Sequence, residues 1–241
     1  MGVFTKVKEW LLNNNTAGFT CDGCGREVFE YPSQRLCEHC QKTVFKNEKR
    51  QCEKCGRALR AEGLCLGCKK EPPAFERAVS PFIYHGDAAR MINRFKQGER
   101  YLAAFFAEEM AKKLSELSFL EPPILVAVPI TERKKKTRRF NQAEDLAKRI
   151  AALTGYEYAA DVLVKIGDGD QKKRTAQERR ERIRGSIRVR KRKLCDNRVV
   201  IVVDDIMTTG ATGGECARIL KNAGARAVYF VTACSLPQRE E

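Results

Sequence analysis

The chain has 241 residues, with 46 Lys and Arg against 31 Asp and Glu and a formal net charge of +15. Its 43% hydrophobic content is enough for a buried core, which excludes wholesale disorder, and its length suits one medium domain with a small appendage. The purely aliphatic runs 124–128 and 199–203 fall far short of the ~20 residues of a membrane span. Lys6, Lys8 and Glu9 break up the apolar stretch 3–12, so neither membrane insertion nor a secretory signal is expected, and the compartment expected is the cytoplasm.

Residues 1–20 open the chain with Val3, Phe4, Val7 and Leu11 at amphipathic helical spacing. Trp10 in that stretch would pack on the segment that follows or dock a protein partner. Residues 21–71 hold eight of the 11 cysteines as four Cys-x-x-Cys pairs, Cys21/Cys24, Cys37/Cys40, Cys52/Cys55 and Cys65/Cys68. In an exported protein such cysteines would read as disulfides. A reducing compartment favours thiolates on metal, and each pair offers two soft ligands from one turn, as structural Zn²⁺ requires. Two closed, structural zinc sites are expected. Sequential pairing (21, 24, 37, 40 and 52, 55, 65, 68) is simplest, and interleaved pairing stays open. A module with so little core should depend on its metal to fold. Cys195, Cys216 and Cys234 have no partner spacing and read as small buried hydrophobes.

Glu71-Pro72-Pro73 marks the boundary with a larger unit, 72–241. Ala89, Ile92 and Phe95 predict a helix, and Leu102, Phe105, Phe106, Met110, Leu114 and Leu117 a second, with their aromatics facing a core. A buried strand follows at 124–128, then a helix over 140–153. A second buried strand at 199–203, a helix over 212–222 stopped at Gly224 and a third strand over 227–232 complete the pattern. Continuous apolar strands alternating with helices predict an α/β fold with a parallel sheet covered on both faces.

The charge is concentrated. Residues 133–139 carry six cations and no acid, and 172–193 carry twelve cations against two acids. Two such blocks read as a footprint for a polyanion rather than as solvated loops. The nucleic-acid candidates are Arg133, Lys134, Lys135, Lys136, Arg138, Arg139, Lys172, Lys173, Arg174 and Arg179, with Phe140 the single ring beside either block. The most specific segment is 199–215, VVIVVDDIMTTGATGGE. Its strand delivers Asp204 and Asp205 to the C-terminal edge of the sheet, where α/β folds place ligands. The loop Ile206, Met207, Thr208, Thr209, Gly210, Ala211 and Thr212 then offers hydroxyls, a backbone that an anion can approach closely, and a helix N-terminus. Adjacent acids beside that nest suit ribose hydroxyls and, directly or through water, a Mg²⁺ ion.

This segment resembles the 5-phosphoribosyl 1-diphosphate (PRPP) loop of type I phosphoribosyltransferases. From about Cys21 to Ser235 the chain is similar to the ComF competence-protein family, which joins a cysteine-rich zinc module to a phosphoribosyltransferase-like domain. Further matching stretches are Met91-Ile92-Asn93-Arg94-Phe95-Lys96, the run from Val128-Pro129-Ile130 to Arg138-Arg139-Phe140-Asn141-Gln142, the stretch 171–179, and Arg182-Ile183-Arg184-Gly185-Ser186. Arg139 stands where the family usually has Gly, and Arg182 where it usually has Asn. Gly takes backbone angles that Arg avoids.

The resemblance implies that Asp204 and Asp205 hold ribose hydroxyls and that residues 206–212 cradle the 5′-phosphate. It places the diphosphate around Ile130, Thr131, Arg133 and Lys134. It implies a cytosolic accessory protein that handles single-stranded DNA during uptake; a separate reading is a pure interaction protein whose cysteine module docks a DNA-uptake motor or channel protein. The alternative it leaves open is an active Mg²⁺-dependent phosphoribosyltransferase with an unknown acceptor.

Overall fold

The structure is a computed structural model that describes residues 20–28, 34–47, 50–166 and 183–237. Residues 1–19 of the amphipathic stretch expected at 1–20, Trp10 among them, and the basic residues Lys172, Lys173, Arg174, Arg179 and Arg182 lie outside them. In the cysteine-rich segment, α1 (Glu38–Thr43) and α2 (Leu66–Lys70) each begin one residue after a cysteine. The larger unit runs β1 (Ala78–Val79), β2 (Phe82–Ile83), α3 (Gly86–Gln97), α4 (Leu102–Leu114), β3 (Ile124–Ala127), α5 (Glu132–Arg138), α6 (Gln142–Thr154), β4 (Glu157–Tyr158), β5 (Leu163–Lys165), β6 (Ile187–Val189), β7 (Val199–Met207), α7 (Ala211–Asn222) and β8 (Ala227–Ser235).

The expected parallel sheet is present, in the order β1-β8-β7-β3-β4, with β2 also pairing β8. Every pairing within it is parallel, and β5 and β6 form a separate antiparallel hairpin. The run at the start of β7 reads as continuous aliphatics because both of its sides are covered. Ile201 and Val203 face a core shared with Phe95 of α3, Phe106 of α4 and Leu146 of α6. Val200 and Val202 face a second core with Cys216 and Leu220 of α7 and Ile187 of the hairpin. Phe82 stacks on Phe105 and Phe106 meets both edge-on in the first core, so these aromatics are packing groups, as expected. Cys195, Cys216 and Cys234 are fully buried, also as expected.

Two local expectations need correction. The family that the chain resembles has a basic loop after the strand corresponding to β3, but here residues 132–138 form α5. Thr131 caps it by accepting from the Lys134 amide at 3.2 Å, and Lys135, Lys136 and Arg138 in its last turn complement the negative end of the helix dipole. Its C-cap, Arg139, sits at φ 62, in the left-handed region that a glycine would occupy at no cost. Second, Ile206 and Met207 belong to β7 rather than to the loop. Their pairing with Cys234 and Ser235 of β8 extends the strand, and Met207 turns into the second core.

The cysteine-rich segment is stitched to the sheet. The Asn47 amide donates to the Pro81 carbonyl at 2.7 Å, and the Ile83 amide to that of Phe45 at 2.9 Å, so residues 45–47 run along β2.

Candidate functional site

Parallel register builds the site. Ala127 of β3 lies opposite Val203 of β7, and the Val128 amide donates to the Val203 carbonyl at 2.9 Å. The turn through Ile130 and Thr131 therefore leaves the sheet beside Asp204 and Asp205. Asn141 secures the far end of that excursion. Its Nδ2 donates to the Val128 carbonyl at 3.0 Å, and its Oδ1 accepts from the Ala143 amide at 3.1 Å as the cap of α6. This gives a physical role to the Phe140-Asn141-Gln142 motif.

Asp204 and Asp205 are half-buried at the end of β7, and the Asp205 amide donates to Asp204 Oδ1 at 2.8 Å. Desolvation first, and the neighbouring Asp205 charge second, push the Asp204 carboxyl from its ordinary 3.8 up to about 8. Lys96, at the end of α3, pairs with Asp205 at 3.0 Å and partly offsets that rise. Lys96 was not among the candidate site residues, although the stretch 91–96 pointed at its helix. Beyond Met207, Thr208 is exposed and Thr209 half-buried, with Thr209 Oγ1 accepting from the Ala211 amide at 3.3 Å. Gly210 caps α7 at φ 78, a left-handed conformation that frees the following amides toward an anion. Thr212 falls in the first turn of α7. Thr208, Thr209, Gly210 and Thr212 thus share one helix N-terminus beside the two carboxylates.

A groove of about 920 Å³ opens next to this site between α3 and the end of α5. Asn93, Lys96, Gln97, Arg100, Arg138 and Arg139 line it, so two cations at the end of the first basic block share one concavity with Lys96, the partner of Asp205. Phe140 also lines it, but its ring packs against Phe95 at 5.6 Å and lies under the Arg100 guanidinium at 5.2 Å. Those contacts orient the half-buried ring at the groove wall. Arg192 donates to the Asn222 carbonyl at 2.8 Å, at the opposite end of α7 from Gly210. Twelve helical residues separate those ends, about 18 Å.

The cysteines assemble sequentially. Cys21, Cys24, Cys37 and Cys40 form one group and Cys52, Cys55, Cys65 and Cys68 another, with ligand atoms within 4.8 Å of one another in each. The Sγ atoms of Cys24 and Cys37, and those of Cys55 and Cys65, are 3.7 Å apart. Metal–sulfur bonds near 2.3 Å in a tetrahedron give edges of about 3.8 Å, so both groups fit four-coordinate metal. Backbone amides point at the sulfurs, Cys37 N at Cys21 Sγ (3.2 Å) and Cys65 N at Cys52 Sγ (3.3 Å). His39 lies outside both groups. A residue that no motif marked, Arg57, sits just beyond the third pair, and its Nη2 donates to the Thr208 carbonyl at 2.5 Å.

The chain belongs to the phosphoribosyl transferase domain family, whose family model matches residues 101–241, the part that carries the carboxylates and the phosphate loop. Among individual relatives, the DNA utilization protein YhgH of Escherichia coli K12 is 25% identical over 83% of this chain and 89% of its own length. The competence protein ComFC of Streptococcus pneumoniae is 27% identical over 90% of this chain and 88% of its own. Competence protein F of Haemophilus influenzae is 26% identical over 89% and 96%. The similarity to competence proteins thus spans the cysteine-rich segment as well as the larger unit. No helix among the described residues is long and apolar enough to cross a membrane.

Proposed function

We propose that this chain is a competence-type accessory protein that handles single-stranded DNA in the cytoplasm and holds a phosphorylated ribose, PRPP or a relative of it, at its sheet edge. The observation that carries this is the meeting of Asp204, Asp205, Thr208, Thr209, Gly210 and Thr212 at one helix N-terminus. In this assignment the loop cradles a 5′-phosphate and the carboxylates accept from ribose hydroxyls. Diphosphate lies by Ile130, Thr131, Arg133 and Lys134 with a Mg²⁺ ion. Zn²⁺ fills both cysteine groups. DNA phosphates follow α5 and the groove, which supplies cations and one half-buried ring, Phe140. Binding should therefore be electrostatic and weakly sequence-dependent. Support for DNA handling comes from the relatives named for DNA utilization and competence.

Two measurements test it. Calorimetric titration with PRPP should show Mg²⁺-dependent binding that vanishes in Asp205→Asn while metal content is unchanged. Affinity for single-stranded DNA should fall steeply between low and moderate salt. Absence of PRPP binding in the wild type would remove the first half, and salt-insensitive or absent DNA binding the second.

An active transferase is favoured over a mere phosphate holder by the intact carboxylate pair with Lys96 against it. Such a site would stabilise departure of diphosphate from an oxocarbenium-like ribose chiefly by charge and position. Diphosphate release from bound PRPP decides between the two.

A further inference from the structure

Arg57 ties the second cysteine group to the phosphate loop across 151 positions of sequence. The knuckle that carries it is fixed on three sides. Gly56 N donates to the Cys52 carbonyl at 2.8 Å and Cys52 N to that of Arg57 at 2.9 Å, which closes the turn around the metal ligands. Gly56, at φ 66, lies so close to β1 that a Cβ there would stand 2.3 Å from the Ala78 carbonyl oxygen. Ala78 N donates to the Lys54 carbonyl at 2.9 Å, and Asn47 Nδ2 to that of Gly56 at 2.7 Å. Ala78 in turn pairs with Phe230 of β8, the neighbour of β7. One sheet therefore holds both the knuckle and the strand that ends in the loop.

The bond from Arg57 has a consequence for the loop backbone. The peptide joining Thr208 to Thr209 is planar and trans, so its carbonyl and the Thr209 N–H point in opposite directions. Pinning the carbonyl toward the cysteine group aims the Thr209 amide away from it. The Arg57 Nε is buried with no hydrogen-bond partner among the described residues, and Nη2 makes the bond to the loop.

We propose that Arg57 is a positioning residue through which metal on Cys52, Cys55, Cys65 and Cys68 presets the phosphate loop, making the affinity of that loop for a phosphate depend on this cysteine group. This rests on residues 208–212 being the phosphate site, and deepens that assignment by adding its control. The first cysteine group makes no such contact with the loop among the described residues.

The test compares metal-loaded wild type, Arg57→Ala and Arg57→Lys by hydrogen–deuterium exchange over residues 207–213, by metal content and by titration with PRPP and Mg²⁺. Arg57→Ala should keep its metal and its exchange elsewhere, while the loop amides exchange about tenfold faster and PRPP binds about tenfold more weakly, the scale of one charged hydrogen bond. Arg57→Lys, which keeps a donor, should recover most of both. Chelation should bring the wild-type loop to the Arg57→Ala rate and move the Arg57→Ala loop little further. Unchanged loop exchange in Arg57→Ala overturns the proposal, as does a loop that responds to chelation equally in both proteins. If the wild type binds no PRPP while its loop still responds to Arg57→Ala, the coupling stands and the PRPP assignment falls.

Discussion

The two cysteine groups share a pattern but are set in opposite layers of the molecule. The first joins the core over α3, α4 and α6, the second the core over α7. All four cysteines of the second group are buried, whereas Cys24 of the first is exposed and Cys37 half-buried. The first is held by side chains: Arg94 of α3 donates to the Asp22 and Gly23 carbonyls at 3.0 and 2.7 Å, and Arg35 chelates Glu108 of α4. The second is held by main chain against β1 and reaches the phosphate loop directly. The lesson is that a repeated motif does not imply a repeated role. One group braces the helix that delivers Lys96, and the other forms part of the wall of the site.

The largest expected effect breaks that contrast at the ligands. Cys55→Ser should lose more than about 4 kcal/mol of unfolding free energy and Cys24→Ser about 2, because Cys55 belongs to a site whose four cysteines are all buried whereas Cys24 is exposed. Equal losses in urea titrations would erase the difference. Chelator should release metal in two phases, the faster from the exposed group, and Cys24→Ser should abolish that phase. A single phase in the wild type would show the burial difference to be irrelevant to exchange.

Lys96→Ala should cost about 1–2 kcal/mol for a partly buried ion pair, and should push Asp204 still higher. The proton on Asp204 gives a pH signature. Its folded value of about 8 exceeds the ordinary 3.8, so between those values the folded chain holds a proton that the unfolded chain releases. Stability must then fall as pH rises through that window and level off above it. Asp204→Asn should flatten the fall, and a difference between the two proteins that does not change with pH would contradict the shift. The smallest effect is a control: Arg139→Gly relieves a left-handed Arg, so it should gain about 1 kcal/mol and leave both metal-release phases as they were.

Much of this was legible in the sequence because its causes are local. The run of aliphatics at 199–203 dictates a strand covered on both faces, and Thr-Thr-Gly-Ala-Thr dictates a turn into a helix. Four Cys-x-x-Cys pairs made two cysteine sites legible, but which pairs share a site was open until the fold brought 21, 24, 37 and 40 together and 52, 55, 65 and 68 together. The Lys96–Asp205 and Arg57–Thr208 contacts depend on how distant elements are laid against one another, and periodicity carries no trace of that. The helix at 132–138 was hidden by its own composition, since a run of like charges reads as solvated chain until Thr131 is seen as a cap. Phe140 was read for its chemistry alone, and its contacts with Phe95 and Arg100 again depend on how distant elements are laid together.

The double bond made by Asn141 has one more consequence. It joins the end of β3 to the start of α6, so the intervening dozen residues depart and return at points fastened by a single side chain. Such a segment behaves as a cassette. Its charge, length and helicity can be rewritten without moving the sheet, and a change of anionic ligand would require no new scaffold, only a new insert between two fixed ends.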